Sequence, residues 1–465
     1  MRNCFRIRSI KTFFCSLALA VTAFGEPTDW LLTARYVVTM DPSRRVIEDG
    51  AVAVTGSRIV AAGPRVELEK RFQPKRRLAR PESLIAPGLI NTHTHAPMSL
   101  LRGIADDRSL QEWLEKFIFP AEAKNVTPEF VRWGTRLAAL EMLQSGTTTF
   151  TDMYYFEEVI AEAAKEAGIR GVLGQTVIGF PVADAKTPAL ALERTEAFLK
   201  RFAGDPLITA AVAPHAIYTT PDEVLRSARA LANRYKAPLV IHLAETRREY
   251  DDVVKARSQT PTKALDVLGL WNGRSVAAHG VWLDAGDIAI LKQRGVGVAH
   301  CPSSNMKLAS GIAPVTKLLA AGVAVGLGPD GPAGSNNDFD LLEEVDLAAK
   351  LQKVSTMDPL ALPAEAAFAM ATIGGARVLG MESSLGSIET GKLADLIVVN
   401  LESARAEPLY DVYSHLAYVL KGSDVKDVFV NGRQVVLNGR VLTLDEGPVL
   451  RKAREYRDKI RASLE

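Results

Sequence analysis

Residues 87–95 read PGLINTHTH, an apolar run that ends in two histidines one residue apart. Because side chains alternate between the two faces of a strand, His93 and His95 point to the same side. Two neutral imidazoles on one face can bind one divalent cation. Alone, the pair is weak evidence, because one of two neighbouring histidines is often a packing residue. The remaining chemically active residues decide between these interpretations.

Seven more apolar runs follow at intervals that suit repeated strand–helix units. Each run ends in polar residues, glycine or proline, and amphipathic segments such as 130–144 lie between them. This alternation predicts an α/β fold, a (β/α)8 TIM barrel over residues 85–386. A doubly wound open sheet is the alternative, but no glycine-rich phosphate-binding turn follows the first strand. The eight runs are residues 84–94, 147–153, 171–177, 208–215, 239–245, 275–280, 296–302 and 323–330.

Both ends of the chain have the pattern of short strands. Residues 26–84 and 387–446 alternate apolar and polar side chains and are broken by turn formers. Asn431-Gly432 and Asn438-Gly439 each separate two apolar runs, which is a strong signal for a tight hairpin. We expect the two ends to form one small β-sandwich domain, followed by a charged helix at residues 447–465.

Residues 1–25 differ from the rest of the sequence. Four basic residues precede an apolar run at 12–24, and residues 1–25 contain no acidic residue. The apolar run is too short to span a bilayer. The pattern predicts a cleavable signal peptide, an exported or periplasmic product, and no stable membrane insertion once the leader is removed. The alternative is an N-terminal extension on a cytoplasmic protein. The basic residues are Arg2, Arg6, Arg8 and Lys11.

The overall composition excludes several classes of protein. The 465 residues are 47% hydrophobic and 24% charged, as in globular chains. A formal net charge of +2 gives no strong field for nucleic acid, and three cysteines are too few for a disulfide framework. The function is therefore expected in a pocket that binds a small molecule. The sequence leaves open whether the chain forms a homo-oligomer.

Six of the seven histidines end predicted strands, where barrel enzymes carry their reactive groups. His242 ends the fifth run and Asp330 ends the eighth. Together with the first histidine pair they supply three imidazoles and one carboxylate, a set that suits Zn²⁺ or Fe²⁺ and leaves a position for water. The six histidines are His93, His95, His215, His242, His279 and His300.

Glu245 follows His242 by three residues, just beyond the predicted strand. A carboxylate beside activated water can move a proton between that water and a leaving nitrogen. His279 can orient the same water, and Asp330 can also hold it. The alternative for Glu245 is an ordinary solvated acid in a loop.

With these residues assembled, the chain from about residue 30 to 445 resembles the amidohydrolase superfamily. The most specific motif is residues 87–95. The sequence is closest to the branch of 5′-methylthioadenosine/S-adenosylhomocysteine deaminases and their chlorohydrolase-like relatives. Four segments support that branch: PAEA at 120–123, HLAET at 242–246, SSNMKLASG at 303–311 and DGPAGSNN at 330–337.

The resemblance implies a role for each strand-end residue. Glu245 would be the proton shuttle, and His279 would be the partner of the hydrolytic water. His215 stands where binuclear relatives carry a carbamylated lysine, so one divalent metal ion is expected, with Zn²⁺ favoured and Fe²⁺ as the alternative. The implied metal ligands are His93, His95, His242 and Asp330.

The resemblance also implies substrate contacts. Glu122 would bind ribose hydroxyls, although a helix-surface acid is the alternative, and His215 would contact the purine ring. Trp113 is a further candidate contact, and His300 either lines the pocket or orients Asp330. The family's arginines near the third strand have no clear match, because the loop at 180–188 lacks arginine. The residues that bind the substrate tail are therefore not assigned.

The predicted activity is metal-dependent hydrolytic deamination of an aminated purine nucleoside of the 5′-methylthioadenosine, S-adenosylhomocysteine or adenosine type. Metal-activated hydroxide would attack the amine-bearing ring carbon and release ammonia. The alternative is hydrolysis of another C–N or C–Cl bond in a heterocycle, as in guanine or cytosine deaminases, triazine hydrolases and cyclic amidases. A more remote alternative is a non-catalytic protein that binds a metal or a nucleoside. The presence of Glu245 and His279 beside all four expected ligands argues against it.

Overall fold

The computed structural model describes Met1 and residues 25–464. Within these residues eight strands close into a barrel, and eight others form a second sheet. The predicted TIM barrel with an additional sheet domain is confirmed. The strands are β1 (Glu26–Val38), β2 (Val46–Thr55), β3 (Arg58–Pro64), β4 (Phe72–Pro87), β5 (Leu89–Thr94), β6 (Thr147–Tyr154), β7 (Arg170–Val177), β8 (Ile208–Pro214), β9 (Leu239–Leu243), β10 (Ser275–His279), β11 (Gly297–His300), β12 (Val325–Leu327), β13 (Leu396–Asn400), β14 (Val425–Val430), β15 (Arg433–Leu437) and β16 (Arg440–Val441).

Helices follow most barrel strands and cover the outside of the barrel. Two of them contain turns with π-helical hydrogen bonding, at Trp113–Ile118 and Met370–Gly374. The helices are α1 (Arg65–Arg71), α2 (Leu110–Glu112), α3 (Phe119–Asn125), α4 (Pro128–Gln144), α5 (Glu157–Ala167), α6 (Pro188–Arg201), α7 (Asp222–Tyr235), α8 (Arg247–Arg257), α9 (Pro261–Val267), α10 (Ala285–Arg294), α11 (Pro302–Lys307), α12 (Val315–Ala320), α13 (Leu341–Thr356), α14 (Ala364–Ala369), α15 (Gly375–Leu379), α16 (Val412–Tyr418) and α17 (Glu446–Leu464).

The barrel consists of β5 to β12 in chain order, all parallel, and pairing of Leu327 with Asn91 closes it. Each predicted run contributes one of these strands. The first run, 84–94, spans two sheets, because β4 ends at Pro87 and the barrel begins at Leu89. Gly88 lies between them, where a Cβ atom would stand 2.2 Å from Thr148 Oγ1. The change of sheet therefore requires a residue without a side chain.

The second sheet has the order β16-β15-β14-β13-β4-β1-β2-β3 and combines strands from both ends of the chain. Its pairs are antiparallel except β1 with β4. Asn431 and Asn438 have φ of 54° and 51°, and each precedes a glycine with φ of 76°, as two-residue hairpin turns require. Alternate side chains enter separate cores, with Leu32 in one and Leu31 in the other. The sheet is therefore covered on both faces.

A buried ion pair joins the sheet to the barrel. Arg170 at the start of β7 donates from Nε to Asp395 at 3.2 Å, and both side chains are almost fully buried. Asp395 also accepts the backbone N–H of Asn431 at 2.6 Å. A paired and hydrogen-bonded charge is the form in which an ion pair persists inside a protein. The contact fixes the chain-end sheet against the N-terminal ends of the barrel strands, away from the strand ends that carry the histidines.

The first part of the connection between β5 and β6, residues 96–125, lies over the C-terminal end of the barrel. We call this segment the cover. Trp113 Nε1 donates to Ala333 O at 2.7 Å. Lys307 forms an ion pair with Asp106, and Asn337 Nδ2 donates to Asp106 Oδ1 at 3.2 Å. These contacts attach the cover to the loops after β11 and β12.

None of the helices in residues 25–464 has the length and apolarity needed to cross a lipid bilayer. The predicted leader at residues 1–25 lies, except for its two end residues, outside the described residues.

Candidate active site

Three histidines converge at the C-terminal end of the barrel. His93 lies on β5, His95 directly follows that strand and His242 lies on β9. Each offers a ring nitrogen within 4.8 Å of the other two. The Nε2 atoms of His95 and His242 are 3.4 Å apart. The alternation of side chains on β5 thus brings both members of the first pair to the barrel axis. Convergence of these three donors creates a candidate metal centre.

Asp330, three residues after the end of β12, completes the set. Its Oδ1 lies 3.4 Å from His93 Nε2 and 3.3 Å from His95 Nε2. Its φ is 65°, a left-handed conformation that is uncommon outside glycine and frequent at functional sites. Ser304 Oγ donates to Oδ2 at 2.7 Å. Burial raises the pKa of this carboxyl, but the adjacent imidazoles of His93 and His95 lower it well below its usual range, so the group is ionised.

Hydrogen bonds to the main chain orient two of the rings. His95 Nδ1 lies 2.7 Å from Met153 O, and His242 Nδ1 lies 2.8 Å from His215 O. Since a carbonyl can only accept, each Nδ1 carries the proton and each Nε2 faces the centre. The strand ends therefore position the donor atoms.

The environment of His93 supports a cation at this position. Its side chain is fully buried, and within the described residues neither ring nitrogen has a hydrogen-bond partner. Burial lowers the pKa of His93 to about 4 and that of His242 well below its usual range, so both rings are neutral, the form in which imidazole binds a metal. For His95 the effect of Asp330 outweighs that of burial, and the pKa rises to about 9. A bound cation would compete with the proton that this ring then carries. Three imidazoles and a carboxylate fit Zn²⁺ or Fe²⁺.

A second set of donors, His93, His279 and Cys301, has similar spacing. Burial raises the pKa of the Cys301 thiol well above its usual value, and this side chain does not line the cavity described below. A protonated thiol is a poor metal ligand. The set that faces the cavity is the stronger candidate.

Glu245 and His279 lie beside the candidate metal centre. His279 Nε2 is 3.8 Å from Glu245 Oε2, and both side chains are buried. His279 Nδ1 lies 3.1 Å from Asn305 Oδ1, which assigns the proton to Nδ1 and leaves Nε2 as an acceptor. Burial raises the pKa of Glu245 to about 8, and nearby Asp330 adds to this rise. The raised pKa favours the neutral acid, which can donate a proton.

Asn305 is a residue that sequence reasoning did not assign. It lies inside the segment 303–311 that was used only as a family motif. The sequence offered only the presence of an amide within that motif, and the structure shows that this amide is fully buried. Its contact with His279 is long-range in the fold and could not be read from spacing.

These residues line a cavity that opens to solvent. Residues of the candidate metal centre and residues of the cover both contribute to its wall. The lining residues are His95, Met98, Leu110, Trp113, Leu114, Ile118, Phe119, Glu122, Met153, Tyr154, Tyr155, Thr176, His215, Tyr218, His242, Glu245, His279, Asp330 and Ser335.

Glu122 is a buried residue of the cavity wall, not a helix-surface acid. Its carboxylate accepts hydrogen bonds from Tyr154 Oη at 2.6 Å and Tyr155 Oη at 3.5 Å. Burial raises its pKa to about 7, against the opposing effect of the Tyr154 hydrogen bond. The tyrosines end and follow β6, and they were not among the predicted site residues. Two consecutive tyrosines at a strand end were the signal in the sequence.

The other predicted contacts divide into two groups. His215 lines the cavity, and its ring centroid is 4.8 Å from that of His242. Trp113 also lines it and presents its ring, since Nε1 is bonded to Ala333. His300 is fully buried outside the lining, and within the described residues neither of its ring nitrogens has a hydrogen-bond partner, Asp330 included. The structure therefore does not bring His300 to the cavity.

The family model for the amidohydrolase family matches residues 84–435. A 5-methylthioadenosine/S-adenosylhomocysteine deaminase from Thermodesulfovibrio yellowstonii is 47% identical over 93% of this chain and 99% of that protein. A crystal structure of an adenosine deaminase from Xanthomonas campestris with bound zinc superposes with a TM-score of 0.92. It is 42% identical over 94% of this chain and 100% of that one.

A more distant structure has the same architecture. A zinc complex of an atrazine chlorohydrolase from Arthrobacter aurescens gives a TM-score of 0.84 at 24% identity, over 92% of this chain and 100% of that one. At this identity the likeness concerns the fold alone.

Proposed function

The chain belongs to the amidohydrolase family, and we propose that it is a metal-dependent deaminase of adenosine-type nucleosides, including 5′-methylthioadenosine and S-adenosylhomocysteine. The observation that carries the proposal is the pairing of Glu245 with His279 beside the three converging histidines. The relatives named above support the class of substrate.

Zinc is the cation that we propose, with Fe²⁺ as the alternative. His93, His95, His242 and Asp330 would hold it, because three imidazole nitrogens and a carboxylate are a common ligand set that leaves a position free. When bound, such a cation lowers the pKa of water so that a nucleophile exists near neutral pH.

Glu245 moves protons between water and substrate. Because its pKa is raised to about 8, the neutral carboxyl donates its proton to the ring nitrogen next to the amine-bearing carbon. The carboxylate then takes a proton from the attacking water as the carbon–oxygen bond forms, and delivers it to the amine. As the carbon–nitrogen bond breaks, Glu245 takes the remaining hydroxyl proton, and ammonia leaves. His279 Nε2 accepts a hydrogen bond from the attacking water and fixes its direction.

Glu122 would recognise the sugar. Its carboxylate can accept hydrogen bonds from two vicinal hydroxyls, and charge-assisted bonds of this kind are strong. Tyr154 and Tyr155 hold the carboxylate in place from behind. A buried acceptor without a hydroxyl partner penalises substrates that lack ribose, which favours nucleosides over guanine, cytosine and triazines.

An ammonia-release screen of the metal-replete protein tests the substrate class. Adenosine, 5′-methylthioadenosine and S-adenosylhomocysteine should release ammonia, whereas guanine, cytosine and atrazine should not react. Turnover of a free base or a triazine in preference to all three nucleosides would contradict the proposal.

Glu245→Gln tests the role of the shuttle, because the amide keeps the shape of the side chain but cannot cycle a proton. We expect kcat to fall on the order of 10²- to 10⁴-fold while the metal content stays unchanged. Steady-state kinetics and metal analysis by mass spectrometry on the same preparation measure both. Undiminished turnover at full metal content would show that Glu245 is not the shuttle.

A further inference from the structure

A second buried carboxylate, Glu249, lies directly behind Glu245. Glu249 is the third residue of α8 and is 4% exposed. Its Oε1 accepts the backbone N–H of Ala244 at 3.0 Å, and its Oε2 accepts the backbone N–H of Glu245 at 2.9 Å. Both oxygens are thus bonded to the turn that carries Glu245.

This arrangement differs from ordinary capping of a helix. Thr246 is the N-cap residue of α8, and its side chain accepts the N–H of Glu249 at 3.1 Å. In a capping box the third residue would return a bond to the N-cap residue alone. Glu249 reaches further back, to the two residues that precede the N-cap. Glu249 therefore links the first turn of α8 to the turn that follows β9.

The turn itself has an unfavourable backbone conformation. Ala244 has φ of 47°, in the left-handed region that alanine rarely adopts. Its carbonyl accepts N–H groups from Val281 at 3.1 Å and Trp282 at 3.0 Å, just after His279. Such a conformation persists only when its surroundings hold it. Glu249 holds the N–H side of the turn, and the segment after β10 holds the carbonyl side.

The direction of the Glu245 side chain depends on this turn. If Ala244 relaxed to a right-handed or extended conformation, the Cα–Cβ bond of Glu245 would rotate away from His279, which is now 3.8 Å from its carboxylate. Glu249 is absent from the described residues that line the cavity at the candidate metal centre. It lines an adjoining outer cavity, which shares Phe119 and Tyr218 with the first.

We propose that Glu249 is a positioning residue for Glu245: by bonding two consecutive N–H groups, it holds Ala244 left-handed and aims the Glu245 carboxyl at the reacting atoms. The inference rests on the proposed function, since Glu245 must be the shuttle for its direction to matter. It predicts an effect on turnover without loss of substrate binding or metal.

The test compares Glu249→Gln with a matched variant. Glutamine keeps the volume but turns an NH₂ group toward one of the two N–H donors, so one bond is lost. Asp287 is also a buried acid at the third position of a barrel helix, where it accepts the N–H of Asp284 at 3.1 Å. Its other oxygen accepts from Thr260 rather than from the turn that carries Glu245. Asp287→Asn should therefore lower the melting temperature and leave kcat unchanged.

For Glu249→Gln we expect kcat to fall on the order of 10- to 100-fold, because a small misplacement of a reacting group has that effect. The KM and the metal content should stay within about twofold of the parent. Adding Ala244→Gly should recover part of the lost kcat, because glycine adopts the left-handed conformation without assistance. An unchanged kcat, or a loss that Ala244→Gly does not alter and Asp287→Asn shares, would overturn the proposal.

Failure of the proposed function has a different signature. In that case the parent protein would not deaminate any adenosine-type nucleoside, and kinetics of the variants would not bear on Glu249. A crystal structure of the Glu249→Gln variant then decides, because the Glu245 carboxylate should have left His279. Glu245 and Ala244 in unchanged positions would overturn the proposal without reference to activity.

Discussion

The floor and the cover of the cavity are held by different kinds of contact. The floor is the set of strand-end residues His93, His95, His242, His279, Glu245 and Asp330. Two of its rings, those of His95 and His242, are oriented by main-chain carbonyls at the ends of neighbouring strands. The cover, residues 96–125, is held by side chains that contact distant loops, such as Trp113 on Ala333.

This difference suggests that the floor carries out the reaction and that the cover selects the substrate. Contacts with strand carbonyls change only if the barrel changes, so the floor keeps one geometry. Contacts between a long connection and other loops can be altered one by one without affecting the barrel. We therefore expect substitutions in the floor to remove metal or turnover, and substitutions in the cover to change substrate affinity.

The largest effect is expected in the floor. His242→Ala removes one of three imidazole donors, and we expect loss of most of the bound metal and a fall in kcat/KM of more than about a thousandfold. His415→Ala is the matched control, since His415 is buried outside the barrel and bonded to Asp411 and Ala406 carbonyls. The control should lose stability but keep its metal. Full metal content and activity in His242→Ala would remove this residue from the proposed metal site.

A smaller effect is expected at the cover residue nearest the reacting region. Glu122→Gln should raise the KM for ribonucleosides about 10- to 100-fold with kcat within a few-fold, because an amide is a weaker acceptor for hydroxyls. In 2′,3′-dideoxyadenosine there are no such hydroxyls, so the variant should not change its KM. An equal rise for both substrates would contradict a contact with the ribose.

The same residue gives a pH dependence. Burial raises the pKa of Glu122 to about 7, above its usual 4.5, so the carboxylate takes up a proton as the pH falls through 7. The protonated form accepts fewer hydrogen bonds. The KM for ribonucleosides should therefore rise about tenfold per pH unit below pH 7. This rise in KM below pH 7 should be absent for the dideoxynucleoside and much smaller in Glu122→Gln. If it persisted in both cases, the titrating group would be a residue other than Glu122.

The floor could be predicted from the sequence because its rules are local. Strand alternation places His93 and His95 on one face, and ends of parallel strands meet at one end of a barrel. Asn305 was missed because its bond to His279 crosses from one strand end to the next loop.

The cover could not be predicted in the same way. Trp113 and Ala333 are 220 residues apart, and Asp106 and Lys307 are 201 apart, and no periodic pattern connects them. Sequence reasoning found Glu122 by resemblance but not the tyrosines that hold it. A strand end alone also did not predict function, since His300 ends β11 and lies outside the cavity lining.

The smallest effect is expected where the cover meets the loops. Lys307 pairs with Asp106 and donates to Gly334 O at 2.9 Å, and the two charged side chains are 27% and 35% exposed. A partly exposed pair contributes about 0.2–1 kcal/mol, which corresponds to a few-fold change in a binding constant. Lys307→Met should raise the KM two- to fivefold, leave kcat unchanged and accelerate hydrogen exchange in the cover. Lys350→Met, which removes a pair with Asp346 on α13, is the control. It should change neither the KM nor the hydrogen exchange of the cover.

Salt provides an independent check on the same contact, because ions screen a partly exposed pair. In about 1 M NaCl the parent protein should approach the KM of Lys307→Met, whereas the variant should change less. If Lys307→Met instead lowered kcat or the metal content, the Asp106–Lys307 pair would act on the floor. In that case a contact of the cover would affect the chemistry itself, and the division between a catalytic floor and a substrate-selecting cover would be wrong.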